Sequence, residues 1–318
     1  MLKIRKFRLA PASSEVSTLE CAPGSVTVVL GPNQSGKTPL CRLIAGLSSA
    51  AVGEVEVAGK SQKKRTGASR TASNDQVAMV FQAFVNYPHW TVEQNIASPQ
   101  RARGKGSKSR IRELAQMVKI DHLLDRFPHE LSGGQQQRLA IARALAKSPT
   151  VLLMDEPFVN LDFKLREALN VELRALVQDI GVTLLFTTSD PGDALTLADQ
   201  LVIIDHHEVL QMGNPLDLYR MPTSKRAADL LSDPGLNQLS PTRYVRSEHL
   251  HISSARSGYA AKVEAIESNG AHSYLHALVE LPNGRSNWVA KLPGVVTSSI
   301  GSSTRLGFDE RDVLELNH

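Results

Sequence analysis

Residues 26–38 of the chain read Val26-Thr27-Val28-Val29-Leu30-Gly31-Pro32-Asn33-Gln34-Ser35-Gly36-Lys37-Thr38. The first five residues of this stretch form a β-branched apolar run that predicts a buried strand. Its last eight residues fit the pattern G-x-x-x-x-G-K-[ST]. Helical apolar spacing follows at Leu40, Leu43, Ile44 and Leu47. A strand, a glycine-bounded loop and a helix in this order predict a phosphate-binding loop.

Each part of the loop has a chemical task in that prediction. The backbone N–H groups would point at phosphates, and the start of the helix adds partial positive charge. Lys37 would reach the β and γ oxygens of a nucleoside triphosphate, and Thr38 would ligate Mg²⁺. All eight loop residues, from Gly31 to Thr38, are therefore candidate binding residues, and the predicted cofactors are ATP and Mg²⁺.

A pair of acidic residues, Asp155 and Glu156, follows the apolar run Val151-Leu152-Leu153-Met154. Such a run is typical of a strand that is buried on both faces of a parallel sheet. At its end, Asp155 would hold Mg²⁺ and Glu156 would orient or deprotonate the attacking water. The pair predicts hydrolysis of the bound nucleotide.

A second glycine-containing motif, Leu131-Ser132-Gly133-Gly134-Gln135, precedes a helix-like stretch at residues 136–146. Two glycines before a helix make another anion-binding N-terminus. It would face a second nucleotide.

These motifs together resemble the ATPase subunit of an ATP-binding cassette (ABC) transporter. The resemblance extends to Met79-Val80-Phe81-Gln82, which contains the Q-loop glutamine, and to Asn160-Leu161-Asp162, the D-loop. Residues 87–96 and the β-rich C-terminal extension resemble the carbohydrate-uptake branch of the family. Residues 86–88 and 187–191 are similar to the paired ATPases of glycerol importers.

The resemblance implies a head-to-tail pair of ATPase subunits. Each ATP would lie between the phosphate loop of one subunit and the Leu-Ser-Gly-Gly-Gln motif of the other, so Ser132 to Gln135 would contact the partner's ATP. Gln82 would sense Mg²⁺ and the γ-phosphate and link the site to the membrane subunit. The resemblance also implies that Asp162 is a nucleotide-binding residue.

Three positions depart from the family pattern. Ser189 stands where the family has a switch histidine near the γ-phosphate, and losing such a contact costs about 10²–10³ in rate. Gln34 replaces a common glycine, and Pro39 would push Thr38 away from helical geometry. Residues 9–16 contain no clear aromatic to stack on adenine, and Phe7 is only a weak candidate.

Length and composition set the domain organisation. The chain has 318 residues, which favours about two domains, and a formal net charge of +4, too small an excess to indicate nucleic acid as a partner. The expected fold class is α/β: a P-loop ABC ATPase domain over residues 1–235, with a parallel sheet core and a helical subdomain at about 86–150. A small all-β, OB/TOBE-like regulatory domain is expected over residues 236–318, where Asn269-Gly270 and Asn283-Gly284 indicate hairpin turns.

The expected function is the ATP-binding subunit of an importer for a carbohydrate or a polyol such as glycerol. The chain has neither a signal peptide nor an apolar run of about 18 residues, so it would lie peripherally on the cytoplasmic face of the membrane. Its partners would be permease subunits, a second ATPase subunit and, indirectly, a solute-binding protein. A heterodimer is favoured, and a homodimer stays open. The alternative is a hydrolysis-impaired regulatory half that completes a partner's catalytic site.

Overall fold

The computed structural model describes residues 1–47, 50–61, 76–101, 107–159, 161, 163–253 and 258–316. They form two compact units, Met1–Pro215 and Leu216–His318. Within the described residues, no helix is both long and apolar enough to cross a bilayer.

The first unit alternates strands and helices, as the motifs predict. Its strands are β1 (Leu2–Arg8), β2 (Val16–Cys21), β3 (Val26–Leu30), β4 (Val52–Val57), β5 (Lys60–Ser61), β6 (Val77–Val80), β7 (Val151–Asp155), β8 (Thr183–Thr188), β9 (Gln200–Asp205) and β10 (Glu208–Gly213). Its helices are α1 (Lys37–Ile44), α2 (Val92–Arg101), α3 (Lys108–Met117), α4 (Gly133–Leu145), α5 (Phe163–Ile180) and α6 (Pro191–Leu197).

The central sheet has the strand order β10-β9-β3-β8-β7-β6, and its strands are parallel except for the edge strand β10. Every residue of β3, β7 and β8 is buried, which explains the apolar runs within these strands. Leu30 lies opposite Thr188, and Asp155 lies opposite Thr187. The carboxyl ends of β3, β8 and β7 therefore meet at one edge, where the motifs follow.

A second sheet, β2-β1-β4-β5, is antiparallel and separate from the first. The sequence predicts strands at residues 2–9, at residues 17–21 and from Gly53 to Val57, which β1, β2 and β4 confirm. Lys60 and Ser61 were expected in a polar loop, but they form the short strand β5. One hydrophobic core joins Leu2 and Ile4 of β1, Leu40 and Ile44 of α1, and Val29 of β3. Because these apolar side chains share one core, the helix that follows the phosphate loop is fixed to both sheets.

The region expected to be helical, residues 86–150, contains α2, α3 and α4, with short 3₁₀ turns between α3 and α4. The polar side chain of Asn95 is fully buried. Its amide donates to the carbonyls of Tyr87, Trp90 and Thr91 at 2.9–3.1 Å. A buried amide with these partners fixes the chain that leads into α2.

The second unit contains short helices α7 (Pro215–Arg220, which begins at the last residue of the first unit) and α8 (Lys225–Leu230). Its strands are β11 (Leu236–Ser240), β12 (Arg243–Arg246), β13 (His251–Ile252), β14 (Tyr259–Ser268), β15 (His272–Leu281), β16 (Gly284–Pro293), β17 (Ser303–Gly307) and β18 (Val313–Glu315). The strands form two sheets, β11-β12-β18 and β13-β17-β14-β15-β16. The described residues from 236 onward form strands, turns and 3₁₀ segments, which agrees with the β-rich region expected there.

The predicted hairpins occur where the Asn-Gly pairs stand. Asn269-Gly270 lies between β14 and β15, and Asn283-Gly284 lies at the start of β16. The side chain of Asn269 accepts from the N–H groups of Ala271 and His272, as in an Asx turn.

Buried Arg246 links the short helices to the strands of this unit. Its guanidinium donates to the carbonyls of Tyr219 and Ala228 and lies 3.9 Å from the centre of the Tyr219 ring. The compact unit therefore begins near residue 216, before the strands. The functional boundary expected at 235/236 stays a prediction.

Candidate functional site

The phosphate loop keeps its tight shape through glycine where space is short. A Cβ at Gly31 would lie 2.3 Å from the carbonyl oxygen of Ile204 and 2.6 Å from Oγ of Ser35, so no larger residue fits there. The N–H of Gly31 donates to the carbonyl of Thr188 at 3.1 Å. Gly36 has φ +111° directly before α1, in the region that favours glycine.

Gln34 adopts φ +65°, a left-handed conformation that side chains with a Cβ disfavour. The loop therefore keeps at this position the backbone that a glycine would adopt most easily, although the sequence supplies glutamine. The loop therefore accepts glutamine in place of glycine at position 34, with local strain in the backbone of that residue.

Pro39 lies inside α1, which begins at Lys37 and includes Thr38. Proline in the first turn removes an N–H that has no partner within the helix, so the helix forms as expected. The expected displacement of Thr38 from helical geometry does not occur.

Lys37 is almost completely buried, with 3% of its side chain exposed. Its ammonium donates to the carbonyls of Gly31 and Pro32 at 2.5 and 2.7 Å and lies 2.9 Å from Oε1 of Glu156. One cation therefore joins the phosphate loop to the end of β7.

Asp155 is buried beside two threonine hydroxyls. It accepts from Oγ1 of Thr187 at 3.1 Å and is also hydrogen-bonded to the side chain of Thr38. Burial raises the pKa of Asp155 above its ordinary value, and the two hydrogen bonds act against that rise. The Thr38 hydroxyl and the Asp155 carboxylate are adjacent oxygen ligands of the kind that Mg²⁺ takes.

Among the described residues, no group of three His, Cys, Asp or Glu side chains could hold a metal by itself. A Mg²⁺ ion at Thr38 and Asp155 therefore fits only with oxygens from other sources, such as phosphates and water. That is the usual arrangement where Mg²⁺ accompanies a nucleotide.

Glu156 has φ +46°, a strained conformation for a residue with a side chain. Its N–H donates to Oγ1 of Thr187 at 3.0 Å, so Thr187 connects the two acidic residues through its hydroxyl. No sequence motif marks Thr187 as a site residue, because its role depends on the pairing of β7 with β8.

Two cavities meet at Glu156. An open cleft of about 570 Å³ is lined by Asn33, Gln34, Gly36, Lys37, Thr38, Pro39, Gln82, Glu156 and His207. A smaller cavity of about 170 Å³ is lined by Glu156, Phe158, Val159, Arg166, Phe186, Thr187, Thr188, Ser189, Asp190, Pro191 and Asp193. The structure thus places Gln82 with the phosphate loop and Ser189 on the other side of Glu156.

Ser189 is exposed at the end of β8, next to an ordered turn. The following residue, Asp190, caps α6 by accepting from the N–H groups of Gly192 and Asp193, and it pairs with Arg166. The position of Ser189 is therefore set by its neighbours, and Ser189 itself lines the smaller cavity.

The second glycine motif forms the start of α4. Ser132 caps the helix by accepting from the N–H of Gln135, whose side chain accepts from the N–H of Ser132 in return. Ser132 and Gly133 are exposed, and a Cβ at Gly134 would lie 2.9 Å from the side chain of Leu165. Of the two cavities just described, neither is lined by a residue from 131–135. Asp162, expected beside the nucleotide, lies outside the described residues.

His207 lines the cleft, although no sequence motif marks it as a site residue. Its N–H donates to the carbonyl of Ser35 at 3.0 Å, and its side chain lines the cleft. The adjacent histidines between two strand-like runs indicate a turn, but only the pairing of β9 with β3 brings that turn to the phosphate loop.

Comparison with known proteins gives consistent matches. A family model described as ABC transporter matches residues 15–159. The sn-glycerol-3-phosphate import ATP-binding protein UgpC 3 of Agrobacterium fabrum is 33% identical, over 93% of this chain and 90% of the relative. The spermidine/putrescine import ATP-binding protein PotA of Pseudomonas fluorescens is 40% identical, over 76% of this chain and 65% of the relative.

Solved structures agree in fold. CbiO1 from Clostridium perfringens, part of the ABC transporter complex cbiONQ, matches with a TM-score of 0.61 and 24% identity, over 69% of this chain and 90% of that chain. A dimeric ATP-binding cassette in a post-hydrolysis state, bound to ADP and Pi, matches with a TM-score of 0.58 and 25% identity, over 68% of this chain and 99% of that chain.

Proposed function

The chain belongs to the ABC transporter family as an ATP-binding subunit, and we propose that it hydrolyses ATP to drive a membrane importer. The observation that carries the proposal is the ion pair between Lys37 and Glu156 at 2.9 Å. It brings the cation that would bind phosphates beside the carboxylate that would take a proton from water. A lysine with only a structural role would not require the glycine-bounded loop that surrounds Lys37.

In this proposal the loop and its surroundings bind the nucleotide before any chemistry occurs. Lys37 exchanges its carbonyl partners for phosphate oxygens, and the loop N–H groups add further donors. Thr38, Asp155 and Gln82 would hold Mg²⁺, which would neutralise negative charge on the phosphates. The buried hydrogen bonds of Asp155 keep its carboxylate directed toward Thr38.

Glu156 is the proposed general base. It lines both cavities, so its carboxylate can hold an attacking water beside the cleft in which Lys37 would bind the phosphates. Thr187 holds the backbone of Glu156 and the side chain of Asp155 through one hydroxyl. The base and the Mg²⁺ ligand are therefore positioned together.

The exposed Ser132 and Gly133 at the start of α4 are proposed to contact the ATP of a second ATPase subunit, with Gly134 and Gln135 shaping that surface. A heterodimer is favoured because Ser189 lacks the charge and reach of a histidine. The comparisons do not support the alternative of a hydrolysis-impaired regulatory half. Permease subunits would hold the pair at the cytoplasmic face of the membrane, with a solute-binding protein on the opposite side.

For the cargo, we propose sn-glycerol 3-phosphate or a closely related polyol phosphate. The supporting observation is the extent of similarity: the UgpC match covers 93% of this chain, which includes most of the β-rich unit. Polyamine import is the second candidate, because the PotA match has the higher identity, 40%, although over 76% of the chain.

The experiment that tests this function is reconstitution of the full chain with the permeases that co-purify with it. ATP-dependent uptake of labelled sn-glycerol 3-phosphate, glycerol and spermidine is then measured in the same vesicles. Uptake of the phosphate ester supports the proposal, and uptake of spermidine alone replaces it with the second candidate. Uptake of none of the three in vesicles that hydrolyse ATP would overturn the cargo assignment and leave the ATPase assignment standing.

A further inference from the structure

The turn between β9 and β10 has an unusual composition. It reads Asp205-His206-His207-Glu208, and both histidines have positive φ, +45° and +64°. Asp205 pairs with Glu208, so the two histidines are the central residues of a two-residue hairpin turn. Such turns strongly favour glycine, asparagine or aspartate. The sequence instead places two imidazole rings in a strained turn.

This turn lies against the phosphate loop. The N–H of His207 donates to the carbonyl of Ser35 at 3.0 Å. A Cβ at Gly36 would lie 3.4 Å from Cδ2 of His207 and 3.2 Å from Cβ of Leu9. The imidazole of His207 therefore stands beside the last glycine of the loop, close to the end of β1.

The turn is also tied to the connection between β1 and β2. The N–H of Ser14 donates to both carboxylate oxygens of Glu208, at 3.0 and 3.1 Å. That connection, residues 9–15, contains no aromatic residue in the sequence Leu-Ala-Pro-Ala-Ser-Ser-Glu. Among the described residues that line the cleft, His207 alone has an aromatic ring.

The strand order shows which part of a nucleotide His207 would meet. β9 lies on one side of β3, whereas β8 and β7, with Asp155 and Glu156 at the end of β7, lie on the other. The loop after β3 separates the two. A nucleotide whose terminal phosphates contact Lys37 can therefore extend its ribose and base toward β9, where His207 lines the same cleft.

We propose that His207 is a binding residue that stacks on the nucleobase of the bound nucleotide. An imidazole offers a flat face, and every base has a π-face, so stacking adds affinity with little discrimination between purines. This inference rests on the proposed nucleotide site and adds to it the residue that receives the base.

The turn itself supplies a clean test. His207→Gly removes the ring and suits a residue with φ +64°, so the turn is not weakened. His206→Gly is the matched control, because His206 has the same type of backbone but a side chain that is 83% exposed and does not line the cleft. His207→Asn tolerates the same backbone and keeps a polar side chain without a ring.

Binding of ATP and of inorganic tripolyphosphate to the full chain is measured for each variant at fixed Mg²⁺. We expect His207→Gly and His207→Asn to weaken ATP by about tenfold, the scale of one aromatic contact. Tripolyphosphate binding should not change, and His206→Gly should bind both ligands as the parent does.

Parental ATP affinity in His207→Gly would overturn the inference, and so would equal loss of both ligands. Parental affinity in His207→Asn would show a polar contact in place of stacking and would also overturn it. A separate result, tripolyphosphate binding that is unaffected by Lys37→Ala, would contradict the phosphate site itself.

Discussion

The ammonium of Lys37 and the carboxylate of Glu156 lie 2.9 Å apart, with 3% and 12% of their side chains exposed. They come from the loop after β3 and from the end of β7, two strands that are separated by β8. Because both side chains are largely buried, each charge needs the other as its counterion. Removal of either residue would leave a buried charge unpaired. Nucleotide binding and stability are therefore linked through the same two atoms.

Lys37→Ala is expected to abolish measurable ATP binding. The phosphates would lose their cation, and the remaining Glu156 carboxylate would repel them. Isothermal titration with ATP and Mg²⁺ measures the loss, which we expect to exceed about 100-fold. Lys119→Ala is the control, because Lys119 is 66% exposed and pairs with Glu172. Similar affinities for Lys37→Ala and its control would refute the assigned role of Lys37.

Gln34→Gly is expected to stabilise the protein. Glycine adopts φ +65° without steric cost, and the net gain after its greater freedom in the unfolded chain is up to about 1 kcal/mol. Urea unfolding measures the change. Asn33→Gly next to it should destabilise, because Asn33 is not among the residues with positive φ. A decrease in stability for Gln34→Gly would show that the side chain contributes more than the backbone strain costs.

Asp155→Asn is expected to raise the free energy of unfolding at neutral pH. Burial raises the pKa of Asp155, so the folded chain holds its proton more tightly than the unfolded chain does. At neutral pH the ionised Asp155 carboxylate therefore lowers the free energy of unfolding. This destabilisation decreases as the pH falls through the pKa of Asp155 in the folded chain. The increase in the free energy of unfolding caused by Asp155→Asn should therefore become smaller as the pH falls.

Unfolding curves at several pH values test this relation, with Asp179→Asn on the exposed surface of α5 as the control. A gain for Asp155→Asn that is constant with pH would contradict the attribution to burial of the charge. The same variant should lose Mg²⁺-dependent hydrolysis, since Asp155 is a proposed ligand.

Ser189→His is expected to raise the basal ATPase rate, by up to about 100-fold if the missing contact is fully restored. Ser189 and Glu156 line the same small cavity, so an imidazole there would reach toward the attacking water. Ser189→Asn, which adds size without a titratable ring, is the control. An unchanged rate in Ser189→His would show that the serine, or a water that it holds, already performs this task.

Short sequence patterns predicted the strands and loops that carry the site residues. The apolar runs at β3 and β7, the glycine-bounded loop and the acidic pair are each contained in a few consecutive residues, and the structure places them as expected. The hairpins at Asn269-Gly270 and Asn283-Gly284 have the same origin, because a two-residue turn depends on its own residues.

The sequence did not predict the features of the site that depend on strand order. In the antiparallel sheet β2-β1-β4-β5, the partner of each strand follows from packing around α1, and the short strand β5 was expected to be a loop. Thr187 and His207 belong to the site only because β8 and β9 flank β3. Since long-range pairing decided these contacts, neither residue had a signal of its own.

ATP hydrolysis at this site depends, in the proposed function, on Glu156 as the general base. Glu156→Gln removes the base while it keeps the size of the side chain and leaves Asp155 in place. Single-turnover hydrolysis of ATP by the full chain, with its co-purified partners, compares this variant with Glu113→Gln, a control in the exposed pair with Arg110. We predict that Glu156→Gln binds ATP but hydrolyses it at least about 100-fold more slowly, while Glu113→Gln keeps the parental rate. Hydrolysis by Glu156→Gln at the parental rate would rule out Glu156 as the base.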